Sequence, residues 1–95
     1  MRDLPFTEET LGQNEFLRHF RATDAEEMVW HQDPEDRIVK LVEGSGWMLQ
    51  LDDQLPVAIM ENAFYFIPEL CWHRLIALPG CTDLKIIVKK LKLSS

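Results

Sequence analysis

The sequence predicts an all-β domain, a small antiparallel barrel or jelly roll. Three observations lead there. Glycine and proline punctuate the chain at intervals of roughly ten residues, as in sandwiches and barrels. The segments between them are short and rich in β-branched and aromatic residues. No stretch carries a long apolar repeat of helical period. At 95 residues the chain has the length of one domain, with a modest core and something to gain from self-association.

Taken in order, residues 1–12 read as an irregular arm in which Thr7-Glu8-Glu9-Thr10 can form one helical turn. Residues 13–91 read as the barrel and 92–95 as a tail. A first strand fits Glu15 to Ala22, followed by a polar turn at Thr23-Asp24. A second fits Glu27 to His31 and gives way to the loop Gln32-Asp33-Pro34-Glu35-Asp36. A third runs from Arg37 to Glu43 and is β-branched in character. Gly44-Ser45-Gly46 then reads as a hairpin turn. A fourth strand, Trp47 to Leu51, is apolar on both faces, as expected if one faces the barrel and the other a neighbouring sheet or subunit. Further strands fit Leu55 to Met60, Phe64 to Pro68, Trp72 to Leu78 and Asp83 to Leu91. Asp52-Asp53-Gln54, Glu61-Asn62-Ala63 and Pro79-Gly80 supply the turns between them. The long C-terminal strand suggests pairing with a second copy, so a homodimer is expected.

Composition narrows the function classes. The chain is 46% hydrophobic and 27% charged, as in a soluble globular protein, with a net charge of −6. An acidic balance argues against nucleic-acid binding, which needs clustered Lys and Arg. The one basic cluster, Lys85, Lys89, Lys90 and Lys92, reads as a guarded strand edge and tail. No apolar run approaches the ~20 residues that cross a membrane, and Met1-Arg2-Asp3-Leu4-Pro5 has no secretory h-region. Cys71 and Cys81 are too few for a disulfide framework and read as free thiols of a cytoplasmic protein.

Two segments about thirty residues apart carry the chemistry. The first runs from Trp30-His31-Gln32-Asp33-Pro34-Glu35-Asp36-Arg37 to Glu43-Gly44-Ser45-Gly46-Trp47. The second is Phe64-Tyr65-Phe66-Ile67-Pro68-Glu69-Leu70-Cys71-Trp72-His73. Together they resemble the two motifs of the cupin superfamily, small jelly-roll barrels also called double-stranded β-helices. In that family side chains of both motifs meet inside the barrel and usually hold one metal ion. The first motif places two histidines, a glutamate and a glycine where this chain has His31, Asp33, Arg37 and Gly44. The second places Gly, Pro-x-Gly, His and Asn where it has Asn62, Pro68, Leu70, His73 and Ala77. The resemblance, over residues 26–90, implies the fold. The family spans enzymes, binding proteins and storage proteins, so it implies no single reaction.

The residues themselves allow more to be said. His31 and Asp33, two apart in an extended segment, point to one side, and His73 can reach them across the barrel. Two imidazoles and a carboxylate make a facial triad with open coordination positions. That set suits Fe(II), with Mn, Ni or Zn as alternatives. The same His-x-Asp…His order resembles iron dioxygenases built on related β-helices. The basic residue those enzymes use to hold a co-substrate has no counterpart, because Arg74 adjoins His73 and points the opposite way. Arg37 cannot ligate a metal. Facing inward, it would repel a cation or anchor a carboxylate or phosphate; without metal it would form an ion pair with Asp33. Tyr65 and Trp72 are candidate lining residues for a ligand. Plainer readings stand beside these. His31 can end a strand in solvent, His73 can be a satisfied core histidine, and Asp33 can simply start a turn. Glu35 and Asp36 read as solvated charges and His19 as structural. Cys71 has no adjacent base and reads as a filler rather than a nucleophile.

Two functions follow. One is a small metal-binding cupin acting on a small anionic metabolite, as an oxygenase or isomerase. The other is a metal-free binding or sensing module holding its ligand through Arg37, His73 and aromatics, or a non-catalytic dimeric accessory protein.

Overall fold

A computed structural model of the chain describes residues 6–22 and 29–91. It contains eight strands: β1 (Phe6–Gly12), β2 (Glu15–Phe20), β3 (Asp36–Glu43), β4 (Trp47–Leu51), β5 (Val57–Ala58), β6 (Phe64–Ile67), β7 (His73–Ala77) and β8 (Leu84–Leu91). They form two antiparallel sheets, a five-stranded one in the order β1-β2-β8-β3-β6 and a three-stranded one in the order β5-β4-β7. This is the all-β jelly roll that the punctuation of the sequence predicts. No helix among the described residues is long and apolar enough to cross a membrane.

Both sheets contribute to one core because their strands alternate. Val39 and Leu41 of β3, Trp47 and Leu49 of β4, Ile67 of β6, and Leu84, Ile86 and Val88 of β8 are buried together with Phe20 and Ile59. Leu84 is wholly buried, so Leu84→Ala would cost about 2–5 kcal/mol. The Trp47 indole Nε1–H donates to the Thr82 carbonyl at 2.7 Å, which satisfies the polar atom that its burial brings inside. Arg37 precedes Val39 and Leu41 on the same inward face of β3, and His73 precedes Leu75 and Ala77 on that of β7. The inward positions at one end of the barrel are therefore polar.

Several expectations are corrected. Residues 6–12 are not an irregular arm or helical turn but an edge strand. Phe6 packs on Phe20 with ring centroids 5.0 Å apart, and Glu8 pairs with Arg18 across the β1–β2 ladder. Gly44-Ser45-Gly46 is not a hairpin, because β3 and β4 lie in different sheets; it is a corner that carries the chain from one to the other. β8 is not an edge strand. It lies between β2 and β3, so Lys85 and Lys89 do not guard a free edge, and pairing of β8 with a second copy loses its basis. Val29 and Trp30 form no strand, and only His31 makes a bridge. The Thr23-Asp24 turn, the start of the strand expected from Glu27, and Lys92 lie outside the described residues.

Candidate metal centre

His31 and His73 form an isolated antiparallel bridge, exchanging N–H···O bonds of 3.0 and 2.9 Å. Residues directly opposite on antiparallel chains project to the same face, and the two imidazoles meet edge to face with centroids 4.2 Å apart. The bridge uses the edge of β7 that β4 leaves free. Asp33 follows His31 by two residues and turns to the same side. Its loop is pinned to the loop before β7. Leu70 N–H donates to the Asp33 carbonyl at 2.7 Å, Glu69 N–H donates to Asp36 Oδ1 at 2.7 Å, and Gln32 Nε2 donates to the Leu70 carbonyl at 2.9 Å. One ligand atom from each of His31, Asp33 and His73 falls within 4.8 Å of the others.

The protonation states follow from the partners. His31 Nδ1 lies 3.0 Å from the Val29 carbonyl and His73 Nδ1 2.9 Å from that of Cys71. A carbonyl only accepts, so both Nδ1 atoms carry hydrogen, and in the neutral rings both Nε2 atoms then keep the lone pair. This is the orientation that metal-ligating histidines adopt through outer hydrogen bonds. His73 Nε2 stands 3.2 Å from Asp33 Oδ2. In the neutral ring two lone pairs then face each other, an arrangement that a cation or a proton relieves.

Arg37 faces inward and is only 7% exposed. Its Nη1 lies 3.2 Å from Asp33 Oδ2, while Nη2 and Nε both reach Glu35 Oε2 at 3.1 Å. Asp33 Oδ2 is buried and makes no hydrogen bond of good geometry, although Arg37 and His73 both stand 3.2 Å away. The Arg37 contact is an attraction of charges rather than an aligned hydrogen bond. Burial pushes the Asp33 carboxyl up, but the His73 contact and the positive charge of Arg37 outweigh it and hold the pKa below the usual aspartate value. Desolvation, together with the neighbouring His73 and Arg37, pulls His31 below the usual histidine value against the opposing Val29 carbonyl and Asp33. Both shifts keep the deprotonated, ligand-competent forms at neutral pH.

The donor set fits a divalent ion: two imidazole Nε2 atoms with fixed tautomers and one buried carboxylate oxygen without an aligned donor. Glu35 is the residue that the sequence reading misplaced among solvated charges. The odd-numbered parity of His31, Asp33, Glu35 and Arg37 was the available signal, since alternate residues of an extended chain share a side. Asp36 is likewise engaged, as the acceptor for Glu69 N–H.

The candidate lining residues Tyr65 and Trp72 have partners of their own. The Tyr65 hydroxyl accepts from Met60 N–H at 2.8 Å and donates to the Ala58 carbonyl at 2.9 Å, so it fastens the turn after β5. Trp72 is half-exposed beside His73, and its carbonyl accepts from Asp52 N–H. Arg74 points outward, as expected, donating to Gln50 Oε1 at 3.0 Å and stacking on Trp30. Cys71 Sγ faces Asp52, and burial and that carboxylate raise its pKa, so it stays a thiol. His19 pairs with Asp83 at 3.0 Å, remote in sequence from the triad.

No family model matches the chain in sequence, and no curated protein does. Solved structures do match in shape. A candidate mannose-6-phosphate isomerase from Ralstonia eutropha JMP134 superposes with a TM-score of 0.65 at 14% identity, over 93% of this chain and 83% of that one. An RmlC-like cupin with a double-stranded β-helix fold from Methanocaldococcus jannaschii gives 0.62 at 18% identity, over 95% and 84%. The Fe(II) form of HppE gives 0.67 at 12% identity, over 81% of this chain and 41% of that longer one. Likeness at such identities concerns the fold, and the fold of this chain is that of the cupins.

Proposed function

We propose that the protein is a metal-binding cupin that holds one divalent ion through His31, Asp33 and His73 and takes a small anionic metabolite beside it. One observation carries this reading. Both histidines have Nδ1 tied to a main-chain carbonyl, which leaves Nε2 of each neutral ring as the ligand atom, and one ligand atom of each lies within 4.8 Å of the others and of Asp33, whose buried Oδ2 lacks an aligned donor. Three ligands on one side leave positions open, the arrangement that suits Fe(II) with oxygen, or Mn, Ni or Zn in an isomerase. The neighbours include a candidate isomerase and an Fe(II) protein, in keeping with those two chemistries. Arg37 supplies the positive side chain that an acidic substrate needs. The test is thermal unfolding with and without Mn(II) or Co(II). At about 100 times the dissociation constant a bound ion stabilises by about 2.7 kcal/mol, or a rise of roughly 11–22 °C for a domain of this size. A His31→Ala/His73→Ala variant should lose that rise. An equal rise in the variant would contradict the assignment.

A second reading rests on the Arg37 network. Asp33 and Glu35 already neutralise Arg37, and a proton on His73 Nε2 would complete a metal-free polar cluster. The protein would then bind its ligand without metal or serve as an accessory subunit. Stabilisation by small carboxylates that a chelator leaves unchanged would favour it.

A further inference from the structure

Resting on the metal-centre reading, we infer that Arg37 is a built-in counter-cation that competes with the metal for Asp33, and that Glu35 is the positioning residue that takes Arg37 over. The same exchange makes the site selective for a singly charged oxyanion, a carboxylate or a phosphate monoester monoanion, once metal is bound.

The argument begins with one oxygen. Asp33 Oδ2 stands 3.2 Å from His73 Nε2 and is also the atom that Arg37 Nη1 approaches at 3.2 Å. A carboxylate oxygen that serves a divalent ion cannot keep an unaligned guanidinium at full attraction, because two cations then share one charge. Arg37 does not need Asp33 to remain inside. Nε and Nη2 both rest on Glu35 Oε2, so the guanidinium can release Asp33 and keep a full counter-charge. Glu35 has three-quarters of its side chain covered, Arg37 nine-tenths, so the exchange happens where water screens it poorly.

Charge decides what binds next. With neutral imidazoles, Asp33 and Glu35 against Arg37 leave one negative charge in excess, so the metal-free site repels anions. A divalent ion reverses that to one positive charge in excess. Arg37, released from Asp33, then has Nη1 free as a donor. A monoanion restores neutrality, whereas a dianion overshoots it. Metal and monoanion therefore bind with positive, reciprocal coupling, and Arg37 supplies part of it.

The experiment measures Co(II) dissociation constants by visible absorption for the parent, Arg37→Gln and Glu35→Gln, with thermal unfolding of each metal-free protein and acetate titration of each loaded one. Arg37→Gln should lower metal-free stability, since it strands two partly buried carboxylates, yet tighten Co(II) at least tenfold and weaken acetate at least tenfold. Glu35→Gln should weaken Co(II) at least fivefold, because Arg37 then leans on Asp33 alone. A purely structural role for Arg37 would move stability and metal affinity in the same direction, and that result overturns the inference while leaving the metal centre intact. Unchanged Co(II) affinity in both variants also overturns it. A parent that takes up no Co(II) overturns this inference and the metal-centre reading together.

Discussion

Leu70 adopts φ +59° and Asn62 φ +62°, the left-handed region that costs an L-residue about 1–2 kcal/mol. These are the two positions where the second motif resembled by this chain carries glycine. Neither position holds the glycine that would adopt this bend without strain. At Leu70 the bend has a function: it turns the Leu70 N–H onto the Asp33 carbonyl and so holds the Asp33 loop against the His73 strand. Its side chain is 60% exposed and loses little on removal. Leu70→Gly should therefore stabilise the fold by up to about 1 kcal/mol after the entropic cost of glycine, read as a higher denaturant midpoint with an unchanged slope. A lower midpoint would mean that Leu70 packs better than its exposure indicates. The three candidate ligands were legible from the motif resemblance taken together with residue type and spacing. Glu35 was not, because the loop character around Pro34 hid a parity that the folded chain retains.

Corners and edges govern the element scale. The alternation along β3, β4 and β8 was readable because both faces of these strands are set by apolar spacing. β1 escaped notice because an edge strand whose middle, Thr7-Glu8-Glu9-Thr10, is polar on both faces shows almost no apolar alternation. Two glycines closely spaced after a strand read as a hairpin, and nothing local distinguishes a hairpin from a corner between sheets. The packing does. A Cβ on Gly44 would stand 2.6 Å from the Asp83 carbonyl oxygen, at φ +130°, and one on Gly46 would stand 2.8 Å from Cys81 Cα. Both contacts are with backbone that cannot rotate away. Gly44→Ala should cost roughly 3 kcal/mol or more from strain and overlap together, whereas Gly80→Ala, with nothing within 4 Å, should cost only the positive-φ penalty of about 1 kcal/mol. Equal losses in urea unfolding of the two variants would show that overlap at the corner is unimportant.

For the whole molecule, the polar end of the barrel couples stability to pH. His31 has a folded pKa below its unfolded value of about 6.5. The unfolded chain thus takes up the proton first, and the stabilising contribution is full above that pH and fades as pH falls below it. Asp33 is also depressed, so its contribution is present above about pH 4 and is lost as pH falls further through the folded value. The melting temperature should stay level from pH 8 to about 6.5, decline below that, and drop again under about pH 4; a maximum near pH 5 would contradict the assigned directions. Metal affinity should decline over the same upper range, since protons compete for the imidazoles. The most direct test of the central claim is elemental analysis of tag-free protein purified without chelator, with His73→Ala beside it. Near-stoichiometric iron, manganese, nickel or zinc in the parent and none in the variant is the predicted result. No metal in either protein, even after anaerobic addition of Fe(II), would contradict it.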